Sequence, residues 1–435
     1  MNGNTKMKVA FTTLGCKVNS YETEAVWELL QKEGYERVEF NQFSDIYIIN
    51  TCMVTNTGEA KSRKMIRHPQ SINSNAITIV MGCLTQLKAK EILEIPGVKI
   101  VLGTKNRDLI GEYLKEYLEI LYPLNKVDPL LKNEKYDELQ IDDFVHHQRA
   151  FLKIQDGCNN YCSYCIIPFA RGRVRSKPAS IILKEAQSLV QKGHKELILT
   201  GIHTGGYGED LKGYSFLDLL KELEQVQNLK RIRISSIEIS ELTPELIDFI
   251  STSKKIVNHL HIPLQSGSDK ILKLMNRKYT LQEFYQKVEL IRKKIKNVAI
   301  TTDVIVGFPS ETGVDFQDTI SFIKKVNFQE LHVFGFSKRT GTLAALLKEE
   351  VPSLIKKNRV NQLIDLSCDL AKEFIKENLN LPINVIVEQE KDGYFVGHTS
   401  NYIFVKFKGQ HISIGDEVTL QIIKEDYPLS FAQII

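Results

Sequence analysis

The chain has 435 residues, 43% hydrophobic and 25% charged, with a formal net charge of +4. These values fit an ordinary globular protein of two or three domains; the mildly basic balance is compatible with an RNA partner and is no evidence for one. No run reaches the ~18 apolar residues of a membrane span, MNGNTKMKVAFTTLGCK has no apolar signal-peptide core, and seven cysteines, an odd number, favour metal ligation over disulfides, so a cytoplasmic protein is expected.

Over residues 1–120, strands are predicted at Lys8–Thr13, Asp45–Asn50, Ala76–Met81 and Val98–Leu102. Helices are predicted near Glu22–Lys32, Gly58–Arg67, Leu84–Leu93 and Arg107–Leu118. This alternation implies a parallel, doubly wound α/β sheet. Cys16, Cys52 and Cys83 each lie just past a strand, in TLGCKVN, INTCMVT and VMGCLTQ. In an open parallel sheet such loops share one edge, where ligands bind, so three distant thiols converge in space. Gly15 and Gly82, each before a cysteine, allow close backbone approach. The alternative is three unrelated buried thiols, but core cysteines belong inside strands and helices, not past three strand ends.

Residues 121–148 lack periodicity, contain Pro123 and Pro129, and read as an interdomain linker with short elements. From Arg149 the alternation resumes. Strands are expected at Ala150–Gln155, Glu196–Thr200, Lys230–Ser235, Asn258–Pro263, Val298–Val306 and Glu330–Phe334, with helices such as Pro178–Gln191, Leu281–Lys294 and Asp315–Val326. Pro178 suits the first turn of its helix. Six strand–helix units predict a partial (β/α)6 barrel with its active site at the carboxyl ends of the strands.

The first of these strands runs into QDGCNNYCSYCIIPFARGR, which carries Cys158, Cys162 and Cys165 as C-x3-C-x2-C. Structural zinc sites close with four ligands and most iron–sulfur clusters take four cysteines. A loop offering three suits a cluster with one iron left open for a substrate. The alternative is a zinc knuckle with a fourth ligand elsewhere, although no Cys or His stands nearby at finger spacing. Arg171, Arg173 and Arg175 follow the loop, where an RNA phosphate near the site would find partners. Further basic stretches are Lys61–Lys64 with Arg67, and Arg231 with Arg233. His259 and His261 share a strand face and read as hydrogen-bonded structural groups; Cys368 reads as core.

A long helix over Pro352–Leu379 precedes short strands at Ile383–Glu390, Tyr394–His398, Ile403–Lys408, Val418–Ile423 and Leu429–Ile434, a small all-β barrel.

Taken together, TLGCKVNSYE, NTCMVT, GCLTQ, the Cys158 loop, LTGIHTGGYG, HIPLQSGSDKIL and TTDVIVGFPSET resemble the radical S-adenosylmethionine methylthiotransferases. CKVN at Cys16 and SKRTGT at Ser337–Thr342 favour the branch acting on N6-threonylcarbamoyladenosine at position 37 of tRNA. The resemblance implies an N-terminal cluster domain (1–120), a linker (121–148), a radical domain (149–379) and a TRAM-like β-barrel (380–435). It implies two [4Fe-4S] clusters, one on Cys158, Cys162 and Cys165 and an auxiliary one on Cys16, Cys52 and Cys83. It implies S-adenosylmethionine near Tyr164, with Gly201 and Gly205 by its amino group and Gln265, Ser266 and Asp303 as polar contacts to ribose and methionine. For Ser266 or Ser268, helix capping is an equal reading. One S-adenosylmethionine methylates sulfur held at the auxiliary cluster; another yields the 5′-deoxyadenosyl radical. The implied partners are an electron donor and the tRNA anticodon stem-loop, with its target base unstacked.

The glycine-rich loop departs from the family in lacking an acidic residue often found there. After Pro382, Glu and Asp outnumber Lys and Arg is absent. An acidic barrel suits a basic protein target, which keeps open methylthiolation of a ribosomal protein side chain. A different class of reading is a non-enzymatic zinc- and RNA-binding protein. Tyr394, Phe395, Tyr402, Phe404 and Phe407 offer stacking surfaces, several of which must be core.

Overall fold

Six parallel strands pair in the order β2-β1-β3-β4-β5-β6. They are β1 (Lys8–Thr13), β2 (Glu36–Val38), β3 (Ile46–Thr51), β4 (Ile77–Gly82), β5 (Val98–Leu102) and β6 (Leu124–Lys126). The computed structural model describes residues 6–131, 136–137, 139–143 and 148–435. Every residue of β3 and β4 is buried, because helices cover both faces; IYIINT and ITIVMG are therefore continuous apolar runs. The helices are α1 (Lys17–Lys32), α2 (Asn56–Arg67), α3 (Pro69–Ile72), α4 (Cys83–Leu93) and α5 (Ile110–Ile120). Helix α1 starts at Lys17, not near Glu22, with Cys16 as its N-cap residue. Strand β6 lies within the stretch expected as a linker, so part of that stretch completes the sheet; its residues 132–135, 138 and 144–147 lie outside the described residues.

The central part contains β7 (Arg149–Lys153), β8 (Gln155–Asp156), β9 (Arg175–Ser176), β10 (Glu196–Thr200), β11 (Arg231–Ile234), β12 (His259–His261), β13 (Ala299–Val306) and β14 (Glu330–Gly335). Its helices are α6 (Ile167–Arg171), α7 (Ala179–Gln191), α8 (Phe216–Glu224), α9 (Pro244–Thr252), α10 (Asp269–Leu274), α11 (Leu281–Lys294) and α12 (Gly313–Val326). The orders β11-β10-β7 and β12-β13-β14 are joined by the bridges Ile232–Ile256 and Ser236–His261, giving an open six-stranded barrel. Ser–Asp, Thr–Glu and Thr–Asp capping boxes start α8, α11 and α12, fixing where each helix leaves its loop. Pro178 is the N-cap of α7 instead of a first-turn residue.

Parallel register sorts the strand residues by face. Ala150, Leu152, Leu197, Leu199, Ile232 and Ile234 join the apolar core under the helices. The opposite face, turned into the barrel, carries Arg149, Glu196, Arg231 and Arg233 on one side and Asp303 beside His332 on the other.

Helix α13 (Ser353–Glu377) packs along β14. After it, β15 (Pro382–Ile386), β16 (Gln389–Lys391), β17 (Tyr394–His398), β18 (Phe404–Phe407), β19 (Glu417–Lys424) and β20 (Ser430–Ile434) pair in the order β15-β19-β20-β18-β17-β16. The β18–β20 pair is parallel, so the expected small barrel is a curled mixed sheet, a half-barrel around Val385, Val405, Phe407, Leu420 and Ile422. The predicted strand Ile383–Glu390 divides into β15 and β16. No helix among the described residues is long and apolar enough to cross a membrane.

Candidate active site between two cysteine loops

The loop after β8 is held in a narrow bend. Gly157 has φ +75°, and a Cβ there would stand 1.9 Å from the Arg173 carbonyl oxygen, so only glycine fits. The Cys158 amide donates to the Gly172 carbonyl at 3.0 Å and the Cys165 amide to the Cys162 carbonyl at 2.9 Å. Arg277 Nη1 donates to Cys162 Sγ at 3.4 Å and the Asn160 amide to Cys158 Sγ at 3.4 Å. Burial pushes the Cys158 and Cys165 thiols up to about 12, and the neighbouring thiols add to this. Three clustered sulfurs, with a guanidinium aimed at one of them, are a donor set suited to an anionic metal–thiolate cluster, because ligation deprotonates a thiol outright.

The second trio assembles at the carboxyl edge of the N-terminal sheet. A Cβ on Gly15 would stand 2.8 Å from Cys52 Cβ and 3.0 Å from Cys52 Sγ, so the Cys16 and Cys52 loops abut. Cys83 opens α4. Burial lifts its thiol to about 11, with Cys16 and Cys52 among the groups acting on it. Arg171 Nε donates to Cys83 Sγ at 3.2 Å, and its Nη2 donates to Asn19 Oδ1 at 2.7 Å. This set also has three sulfurs and one buried cation, and it too fits a metal cluster.

Three contacts lock the trios together. Ile166 and Ala170, just after Cys165, share an apolar core with Cys83 and Leu84. Arg171, Lys153 and Asp156 meet Glu22 and Arg107 in a buried charge network. Burial opposes the Glu22 charge, but Arg107, Arg171 and Lys153 outweigh it and hold the carboxyl at about 2. Arg339 donates to the Val54 carbonyl at 3.3 Å and to Glu59 at 2.9 Å, and the Asn56 amide donates to Ser337 Oγ at 2.9 Å. A cavity of about 210 Å³ lies between the loops, lined by Val54 and Thr55, which follow Cys52, and by Tyr164, Cys165, Gln265 and Asp303.

Residues 152–323 match the Radical SAM superfamily and residues 8–103 the Uncharacterized protein family UPF0004. The chain is 49% identical over 433 residues to the threonylcarbamoyladenosine tRNA methylthiotransferase MtaB of Bacillus subtilis (strain 168), covering 98% of this chain and 96% of that protein. The chain belongs to the radical S-adenosylmethionine methylthiotransferases. Against a tRNA-2-methylthio-N(6)-dimethylallyladenosine synthase of Clostridium botulinum (strain Langeland) identity is 35%, covering 97% and 95%. Among solved structures, the radical S-adenosylmethionine methyltransferase TsrM of Kitasatospora setae superposes with a TM-score of 0.56 at 13% identity, covering 76% and 75%, a likeness of fold alone. Membership in the radical SAM superfamily brings a [4Fe-4S] cluster and S-adenosylmethionine.

In this methylthiotransferase Tyr164, Gln265 and Asp303 meet on the cavity wall. Asp303 sits between His261 (3.3 Å) and His332 (3.1 Å). Burial opposes its charge, yet the two histidine hydrogen bonds hold it well below the usual carboxylate range; the same bond raises His332. His259 and His261 both bond Thr301 Oγ1. The other candidates pack away from the cavity. A Cβ on Gly201 would meet Gln155 at 2.8 Å and one on Gly205 would meet Glu241 at 1.9 Å, so a side chain would clash at either position. Ser266 is buried against the Ser268 amide, and Ser268, not Ser266, caps α10.

Arg171 and Arg175 are buried, so neither presents a phosphate site; Arg173 alone of that run is exposed. Arg231 and Arg233 are buried too, inside the barrel. Sequence reasoning also missed His332, Arg277 and the Glu22 network. Each acts across a long sequence separation with no local motif.

The methylthiotransferase's acidic half-barrel is electrically two-sided. Glu388 and Glu417 neutralise Arg149 and Arg231 of the central part, each at 3.0 Å. Elsewhere on the sheet Lys406 and Lys424 lie 4.0 and 5.6 Å from the Phe431 ring, Lys408 lies 4.8 Å from Tyr394, and Lys406 also reaches Asp426 at 3.9 Å. Tyr394 and Phe431 are half-buried and available for stacking. Phe407 is core, while Tyr402 stacks on His259 and Phe404 on His398.

Proposed function

We propose that this protein replaces the C2 hydrogen of N6-threonylcarbamoyladenosine at position 37 of tRNA with a methylthio group. The observation that carries the reading is the cavity shared by Tyr164 and Cys165 with the Val54–Thr55 segment beside Cys52. Radical generation and sulfur delivery must act on one substrate atom, and a site walled by both loops allows that. The substrate named for the Bacillus subtilis relative supports this branch, and it favours RNA over a ribosomal protein.

On this reading Cys158, Cys162 and Cys165 hold one [4Fe-4S] cluster and Cys16, Cys52 and Cys83 a second. An aromatic C–H is too weak an acid for a side chain, so these groups and S-adenosylmethionine supply the one-electron and sulfur chemistry when bound. The protein binds, orients and excludes water. Tyr164 offers an aromatic surface to the adenine. Asp303, fixed by two histidines, accepts from ribose hydroxyls or the methionine ammonium, and Gln265 adds a polar contact. Ile166, Ile167, Ile305, Phe334 and Phe336 add an apolar stretch of wall, and Ser337 a further polar group. The lysine–aromatic face of the half-barrel holds the anticodon stem-loop, and the unstacked target base enters the cavity. A separate electron donor is required.

Nucleoside mass spectrometry of tRNA from cells lacking the gene tests this. The methylthio form of N6-threonylcarbamoyladenosine should vanish and the unthiolated nucleoside accumulate; an unchanged profile refutes the proposal.

A further inference from the structure

The half-barrel touches the central barrel through one loop, residues 399–403 between β17 and β18, which lies against β11 and β12. Arg233 Nη1 and Nη2 donate to the Ser400 and Thr399 carbonyls, each at 3.4 Å, and the guanidinium stands 4.9 Å from the Tyr402 ring. That ring stacks on His259, with centres 4.5 Å apart and planes 20° from parallel. Tyr402 has φ +70°, a backbone region that bulky residues avoid. Such a conformation persists only where the surroundings over-determine it. Here they do. Thr399 and Asn401 are fully buried; Thr399 Oγ1 donates to Asn401 Oδ1 at 2.7 Å, Asn401 Nδ2 to Asn378 Oδ1 at 3.0 Å, and the Tyr402 amide to the Thr399 carbonyl at 3.0 Å.

His259 begins a row of hydrogen bonds that ends at the cavity. Its Nε2 lies 3.2 Å from Thr301 Oγ1, the same hydroxyl lies 2.9 Å from His261 Nδ1, and His261 Nε2 lies 3.3 Å from Asp303. Donors and acceptors along the row have one consistent order. Burial and Arg233 keep His259 well below its ordinary value, so its ring carries one proton. On Nε2 that proton has an acceptor; on Nδ1, buried without a protein partner, it would be stranded. His259 therefore donates to Thr301, the Thr301 hydroxyl donates to His261 Nδ1, and the His261 Nε2–H is left for Asp303. Glu330, opposite Thr301 in the β13–β14 register, is bonded instead by Tyr427 of the half-barrel, at 3.1 Å. With the His332 contact alone the Asp303 carboxylate could turn; the His261 end of the row removes that freedom.

We propose that Tyr402 is a positioning residue for the S-adenosylmethionine site: the clamped loop of the half-barrel holds His259, and the row through Thr301 and His261 aims the Asp303 carboxylate into the cavity. This rests on the proposed contact of Asp303 with S-adenosylmethionine. A carboxylate whose orientation is fixed beforehand gives up less freedom when the ligand arrives. The module that carries the lysine–aromatic face thereby also sets the geometry of the cofactor wall.

The test uses anaerobically reconstituted holoenzyme and equilibrium dialysis with labelled S-adenosylmethionine. Asp303→Asn should raise the Kd about 10-fold or more. Tyr402→Leu should raise it about 5-fold, whereas Tyr402→Phe, which keeps the stacked ring, should stay within about 2-fold of wild type. The double variant Tyr402→Leu with Asp303→Asn should bind no more weakly than Asp303→Asn alone, because a residue acting through Asp303 then has nothing left to act on. Thr301→Val removes the hydroxyl midway along the row and leaves the loop intact; it should also raise the Kd about 5-fold, and it decides the matter if Tyr402→Leu fails to load its clusters. An Asp303→Asn protein with wild-type Kd overturns the Asp303 contact and the role of Tyr402 together. If Asp303→Asn loses affinity, the role of Tyr402 alone is overturned by losses that add in the double variant, or by wild-type Kd values in Tyr402→Leu or Thr301→Val. A Tyr402→Leu protein that binds the anticodon stem-loop more weakly but S-adenosylmethionine normally would make Tyr402 an RNA contact, and overturns the role as well.

Discussion

Arg171 Nε lies 3.2 Å from Cys83 Sγ, although Arg171 ends the helix after the Cys158 loop and Cys83 begins a helix of the N-terminal sheet. The same guanidinium bonds Glu22, Asp156 and Asn19. One buried side chain thus ties the helix that follows the Cys158 loop to Cys83 and to α1.

Replacing Arg171 with Met leaves Glu22 and Asp156 buried with less counter-charge. Removing one member of a buried ion pair costs about 3–5 kcal/mol. Urea unfolding of the two proteins should show a loss of that size, with Arg171→Lys intermediate. A stability within ~0.5 kcal/mol of wild type would mean that the network is not structural.

Cys52→Ala separates the two trios. The variant should lose methylthio transfer while still producing 5′-deoxyadenosine from S-adenosylmethionine, measured by chromatography under reducing conditions. Its iron content should fall to that of one cluster. Loss of cleavage itself would reverse the assignment of the trios.

The Asp303–His332 contact has a definite pH signature. His332 is raised, so its share of stability is fully present below ~6.5 and is lost as pH rises through its folded value. Asp303 is depressed, so its share is present above ~4 and is lost as pH falls through its own folded value. Between these limits the pair's contribution is flat. Nuclear magnetic resonance titration should place His332 above ~6.5 in the wild type and lower in Asp303→Asn. An unchanged His332 titration would show that the contact does not form in solution.

The half-barrel face bearing Lys406, Lys408, Lys424, Tyr394 and Phe431 should bind the stem-loop. Lys406→Glu with Lys424→Glu should weaken RNA binding about 10-fold or more and flatten its salt dependence. Phe431→Ala should weaken it through lost stacking, worth ~1–3 kcal/mol per base. Binding isotherms at two salt concentrations report both effects.

Most of the strand framework was legible because parallel strands covered on both faces are short apolar runs; β1, β5 and β10 fall where their composition places them. The meeting of Cys16, Cys52 and Cys83 was legible from topology, since each follows a strand of one sheet. The charged barrel interior was not. Arg231 and Arg233 alternate along a strand as solvated residues do, and only closure of the open barrel turns them inward against Glu196. Arg171 read as a phosphate site because its neighbours in sequence are basic, whereas its partners in space, Glu22 and Asn19, come from α1. The closeness of Gly201 to Gln155 and of Gly205 to Glu241 was not legible, because those partners stand far off in sequence.

The most direct test is a reaction of reconstituted enzyme with methyl-labelled S-adenosylmethionine, a reductant and a stem-loop carrying N6-threonylcarbamoyladenosine. The label should appear as a methylthio group on C2 of that base, together with 5′-deoxyadenosine. Cleavage of S-adenosylmethionine with an unaltered base, or label on a ribosomal protein instead, would contradict the account.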